Sequence, residues 1–167
     1  MGHDLRFTML QISRRADYAV RIMLELGSLP PGQHLPAGDI ALRTDVPKTF
    51  LHKIVADLVK AGLARTYKGS SGGLGLVRAA ESISMLDIVE AVDGPVCLNQ
   101  CLLQPAECPR DSICPAHTFW GNLQMVVLTH LREATLDRLL AELNNPERRP
   151  ARSEIPYVFM GIGRDGK

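Results

Sequence analysis

All four cysteines of this 167-residue chain fall between positions 97 and 114, and a histidine follows at 117. Six residues separate Cys101 from Cys108, five separate Cys108 from Cys114, and two separate Cys114 from His117. Thiolate and imidazole are soft to borderline donors, so this set on one segment is a metal-site constellation. Its gaps are wider than the two-residue gaps of zinc knuckles and ribbons. That width suits a centre larger than one ion and favours an iron–sulfur cluster. Three Cys and one His are also a structural zinc set, so zinc stands as the alternative. Cys97, four residues before Cys101, reads as a small buried hydrophobe or as a substitute ligand. His117 reads as a ligand or as an exposed residue in the first turn of a helix.

A second group of residues suits nucleic acid. In a helix-turn-helix, the start of the second helix meets base edges in the major groove. Here that start is Lys48-Thr49-Phe50-Leu51-His52-Lys53. Lys48, Thr49, His52 and Lys53 have no place in the apolar stripe of the helix. Lys can contact guanine O6/N7 or phosphate, and Thr and His can do either. Downstream, Lys68-Gly69-Ser70-Ser71-Gly72-Gly73 is a small, Gly-rich tip whose backbone can approach a phosphate or the minor groove, with Arg65 and Lys68 supplying charge. The plainer alternative is a surface helix and a hairpin of a protein–protein module. Charge distribution favours DNA: residues 1–78 carry eleven Lys/Arg against six Asp/Glu, and the remainder eight against twelve.

These groups need elements to hold them. Ala16, Ala19, Val20, Met23 and Leu26 recur at helical spacing and predict a helix over 13–26, stopped by Gly27. A short helix over 36–43 and a longer one over 47–63 follow, the latter opened by Pro47 and closed near Gly62. Two helices joined by so few residues form a helix-turn-helix. Residues 64–67 and 74–78 flank the glycines as two short strands, a hairpin wing. Ser84 with Asp87 three residues on is an N-cap for a fourth helix, ended by Asp93-Gly94-Pro95. The cysteine segment, 96–114, shows neither period and reads as a ligand-held loop. Pro115 then opens what reads as a single helix to about 144, roughly 43 Å long at 1.5 Å per residue. A domain of some 90 residues cannot cover such a helix, so a partner chain is expected on it.

The expected organisation is a leader at 1–11, a winged helix-turn-helix domain at 12–95, a cysteine loop at 96–114, a dimerisation helix at 115–144 and a mobile tail at 145–167. Met9 is a second candidate start, with 1–8 as an optional leader. The fold class is mainly α with a small β-hairpin. Apolar residues at 46% and charged residues at 22% suit a packed globular chain and exclude wholesale disorder. No apolar run is long enough to span a membrane and the start has no signal-peptide core, so a cytoplasmic protein with reduced thiols is expected. No P-loop, dinucleotide fingerprint or Ser-His-Asp pattern argues for an enzyme. An electron carrier would not need a basic helix-turn-helix with a wing.

In this order and spacing, the stretches resemble the Rrf-type family of bacterial regulators, which includes IscR, NsrR and RirA. The resemblance covers about residues 10–143. It rests on Ile12-Ser13-Arg14-Arg15-Ala16-Asp17-Tyr18-Ala19-Val20-Arg21, on residues 46–63, on the glycine-rich tip with Ser70 and Ser71, and on 101–120 with its Cys114-Pro115-Ala116-His117-Thr118-Phe119-Trp120. It implies a homodimer on a palindromic double-stranded DNA operator. It places DNA contacts at Lys48, Thr49, Phe50, His52 and Lys68. It also implies one cluster per subunit, held by Cys101, Cys108 and Cys114, whose state makes iron, redox poise or nitric oxide a transcriptional signal. IscR-like members pair a 2Fe–2S cluster with a His in the position of His117. NsrR-like members pair a 4Fe–4S cluster with an Asp of the partner's first helix, in the position of Asp17. Both residues are present, and Cys97 has no assigned counterpart. His117 is favoured, and with it 2Fe–2S, because it lies on the same segment as the three thiols.

Overall fold

The structure is a computed structural model that describes residues 12–69, 72–104, 108, 110, 113–145 and 147. The expected leader, Ser70 and Ser71 of the wing tip, and the tail apart from 145 and 147 lie outside the described residues. Helix α1 (Arg14–Gly27) is the centre of the fold. Ser13 caps it by accepting from the Ala16 N–H at 3.1 Å, and it buries Ala16, Ala19, Ile22, Met23 and Leu26. One face therefore meets α2 (Ala37–Thr44), α3 (Lys48–Lys60), α4 (Met85–Asp93) and α7 (Leu136–Asn144). Gly27 is the last residue of α1 rather than its stop signal, and Ser28 is the C-cap.

Helices α2 and α3 are joined through Asp45, Val46 and Pro47, with Asp45 left-handed at φ 54°. Val46 is buried and fixes the turn to the core. Helix α3 buries Leu51, Ile54 and Leu58. It ends three residues before the predicted Leu63, because Gly62 at φ +70° turns the chain away. Gly62 N–H donates to Val59 O at 3.0 Å and Leu63 N–H to Leu58 O at 3.0 Å, a Schellman motif.

Strand β1 (Ala64–Tyr67) pairs antiparallel with β2 (Gly73–Leu76), Ala64 opposite Leu76 and Tyr67 opposite Gly73. Leu35, just before α2, adds a bridge to Leu74 through bonds of 3.0 and 2.8 Å. This ties the wing to the helical domain. The backbone comes so close there that a Cβ on Gly73 would sit 2.3 Å from the Leu35 carbonyl oxygen.

A 3-10 turn (Ala80–Ser82) leads to α4, where the predicted cap is present. The Ser84 side chain accepts from Asp87 N–H at 3.1 Å and the Asp87 carboxylate from Ser84 N–H at 2.8 Å. The cysteine segment is not wholly irregular: one helical turn, α5 (Gln100–Leu103), packs on α6 (Pro115–Glu133).

The single helix expected over 115–144 is two helices. Helix α6 ends at Glu133 after 19 residues, roughly 28 Å, and α7 starts at Leu136. The break has a tertiary cause. Ala134 O accepts from Met85 N–H at 2.8 Å and Leu136 N–H donates to Ile83 O at 2.8 Å, so backbone groups that a continuous helix would use internally bond to the approach to α4. Helix α7 turns back and buries Leu136 and Leu140 in the core. No residue of α6 is buried, and Phe119, Leu123, Met125 and Val126 are exposed on it. The apolar seam read from the sequence is thus divided: Leu136 and Leu140 complete the core, Trp120, Val127 and Leu131 are half-buried and Leu123 is exposed, while Phe119, Met125 and Val126 form a bare apolar surface outside that seam. None of the described helices is long and apolar enough to cross a membrane.

Candidate DNA-binding face and cysteine segment

Lys48, Thr49, Phe50, His52 and Lys53 occupy the first two turns of α3 and all are exposed. Leu51 and Ile54, interleaved with them, are buried, so the helix has one inward stripe and a basic outward face. Phe50 is 40% exposed and meets the Tyr18 ring edge-on at 5.6 Å, which anchors it to α1. Lys68 is exposed at the end of β1, and Gly69 beyond it has φ +109°. Arg65 stands over the Tyr67 ring at 4.9 Å and donates from Nε to the Tyr67 hydroxyl at 2.7 Å. His34 stacks on the other part of this group, 4.2 Å from the Tyr67 centroid at 15°. The sequence names Arg65 but carries no signal for its partners. His34 lies three positions before the start of α2, and the neighbouring Leu35–Leu74 bridge holds its segment against the wing.

The thiols are all free and half-buried. Cys97 donates from Sγ to Asn99 O at 3.1 Å and lines a small apolar cavity with Val89, Val127 and Leu131. Its approach is pinned: Gln124 of α6 accepts from Leu98 N–H at 2.9 Å and donates to Val96 O. Cys101 lies within α5, Cys108 in the connecting segment, and Cys114 at the N-cap position of α6 with Pro115 after it. His117 sits in the first turn of α6, its N–H donating to Cys114 O at 3.1 Å and its Nδ1 shielded from water. Among the described residues, no three His, Cys, Asp or Glu side chains converge as for a metal ion. The donor chemistry nevertheless fits an iron–sulfur centre: three uncommitted thiols and an imidazole on one segment. Asp17, the alternative fourth ligand, is exposed on the first turn of α1 and pairs with Arg21 at 2.8 Å.

Residues 12–142 match the Rrf2 family, described as an iron-dependent transcriptional regulator. The chain belongs to the Rrf2 family. It is similar to a protein of Rhodobacter capsulatus named as a putative rrf2-like HTH-type transcriptional regulator, 31% identical over 80% of this chain and 94% of that one. It is also similar to the HTH-type transcriptional regulator IscR of Vibrio atlanticus, 28% identical over 80% of this chain and 76% of that one. The solved structure of CymR, the global cysteine regulator of B. subtilis, superposes with a TM-score of 0.65 at 27% identity, covering 80% of this chain and 98% of that one. The Rrf2 fold is therefore mostly helical with a two-stranded wing, and Rrf2-type proteins are DNA-binding transcriptional regulators rather than enzymes.

Proposed function

We propose that this Rrf2 protein is a cytoplasmic, homodimeric regulator that binds a palindromic double-stranded operator under the control of an iron–sulfur cluster. What carries the reading is the chemistry of the donors strung along one segment: Cys101 in α5, Cys108 in the connecting segment and Cys114 at the N-cap of α6 are free and half-buried, and His117 lies in the first turn of α6. The three thiols and His117 would hold the cluster as 2Fe–2S. The alternative completions are Asp17 of a second copy, which suits 4Fe–4S, and Cys97. When bound, such a cluster supplies a redox-active centre whose potential and reactivity follow its ligands and exposure.

The chain's own residues supply the rest. Lys48, Thr49, Phe50, His52 and Lys53 read the major groove, and Arg65 and Lys68, with Ser70 and Ser71 at the tip, contact the flanking backbone. The bare apolar face of α6, with Phe119, Met125 and Val126 each more than half exposed, fits a second copy related by two-fold symmetry. Two recognition helices in one dimer then read two half-sites at fixed spacing.

The test is a visible spectrum of protein purified without oxygen, with iron, sulfide and zinc assayed on the same sample, followed by DNA titrations before and after cluster removal. Coloured protein with iron and sulfide, and a DNA affinity that changes on removal, is the expected result. Colourless protein with one zinc per chain would replace it with a zinc-stabilised regulator. Equal DNA affinity with and without the cluster would remove the sensing step.

A further inference from the structure

We propose that the groove between α1 and α3 seats a phosphate of the DNA backbone, with Arg15 as its charged contact and Asp57 as the residue that positions Arg15. The inference rests on the DNA-binding reading and adds a contact to it. On this face α1 and α3 run in opposite senses: Tyr18 meets Phe50, and Arg15, earlier in α1, meets Asp57, later in α3. Between them is a groove of about 500 Å³ lined by Arg15, Thr49, Phe50, Lys53, Ala56 and Asp57. It opens on the surface that carries the exposed recognition residues Thr49, Phe50 and Lys53.

The Arg15 side chain is 40% exposed, and one of its terminal nitrogens is held by the Asp57 carboxylate. Its Nε is shielded from water and makes no hydrogen bond. A part-exposed pair of this kind contributes little to stability, ~0–1 kcal/mol, so stability alone is a weak reason to fix a guanidinium here. A guanidinium held by one edge keeps other N–H donors for an incoming oxyanion, in the planar geometry that phosphate accepts. Lys53 and Thr49 add a second cation and a hydroxyl to the same wall. With Arg15 and Lys53 against Asp57, the lining carries one net positive charge. Ala56 leaves the floor open. A phosphodiester beside the major groove has the size and charge to enter.

The probe is a labelled 24-base-pair duplex of arbitrary sequence, titrated by anisotropy between 50 and 200 mM KCl, because a phosphate contact is independent of sequence. Each phosphate contact contributes about 0.9 to the slope of log K against log salt. Arg15→Gln should lower the magnitude of that slope by about 0.9 per bound protomer, or about 1.8 for two. Over this fourfold salt range, affinity should then fall about 12-fold less than in the unmodified protein. Ala56→Glu changes an exposed residue of the groove floor and should weaken binding at least tenfold at 50 mM KCl with an unchanged melting temperature. Asp57→Asn raises the lining from one net positive charge to two, which by charge alone would tighten binding; weaker binding at 50 mM KCl is expected because Arg15 loses its position, and tighter binding overturns the positioning role of Asp57. An unchanged slope in Arg15→Gln, or unchanged affinity in Ala56→Glu, overturns the inference while DNA binding stands. Failure of both the cluster-loaded and the cluster-free unmodified protein to bind the duplex at 50 mM KCl, where phosphate contacts alone sustain non-specific binding, overturns the inference and the DNA-binding reading together.

Discussion

Replacing Leu136 by Ala tests the division of the C-terminal apolar seam. Leu136 is fully buried, and it packs so close to α1 that a Cβ added to Gly27 would lie 3.2 Å from its Cδ2. Truncation of a buried Leu costs about 2–5 kcal/mol, depending on how far the site collapses. Collapse is restricted here, because Leu136 N–H is bonded to Ile83 O and Ala134 O to Met85 N–H on either side of the break. The expected loss is therefore about 3–4 kcal/mol, or roughly 6–16 °C in Tm for a chain of this length. Urea unfolding of the metal-free protein at several protein concentrations is the assay. The loss should be the same at every concentration. Val126→Ala, 65% exposed on α6, should leave the stability of one chain within about 0.5 kcal/mol and weaken association instead. A Leu136→Ala loss below about 1 kcal/mol, or one that vanishes as concentration rises, would mean that this residue faces a partner on a continuous helix, and the reasoning fails.

Gly73→Ala places a methyl group against the Leu35 carbonyl, which cannot retreat without breaking two backbone bonds; about 2–5 kcal/mol of local destabilisation is expected. Weaker duplex binding with unchanged helix content should show it. Ser84→Ala removes the capping box of α4 and should cost about 1 kcal/mol, read as a lower urea midpoint with an unchanged slope. Cys108→Ser should abolish iron and sulfide retention in anaerobically purified protein. It should leave the metal-free melting temperature nearly unmoved, because Cys108 is only half-buried and lies outside the core cluster.

What the sequence made legible was governed by short-range chemistry. Pro47, Gly62, Ser84 with Asp87, and Pro115 mark element ends because their effects act within one turn, and all four are found at such ends. The wing was readable because its strands flank the glycines directly. What escaped was decided by residues distant in sequence. In Ala134-Thr135-Leu136 the local signal is slight, Thr135 as N-cap with Asp137 after it; the break is held by hydrogen bonds to Ile83 and Met85, about fifty positions earlier. Hydrophobic period marks which residues are apolar but not what they will touch, so Leu136 and Leu140 read as one seam with Trp120, Leu123, Val127 and Leu131, although the first pair completes the core and the others are half-buried or exposed. The Arg15–Asp57 pair, 42 positions apart, was hidden for the same reason. In the cysteine segment the donor types were plain and the geometry was not, because none of the four thiols belongs to the core that fixes the other side chains. Those two unread features meet on α6. Its first turn carries His117 just after Cys114, and the residue after its last turn bonds to the start of α4. Helix α6 thus runs from the segment of Cys114 and His117 to the start of α4, and its packing on α4 and the Ala134–Met85 hydrogen bond, both long-range in sequence, fix it there.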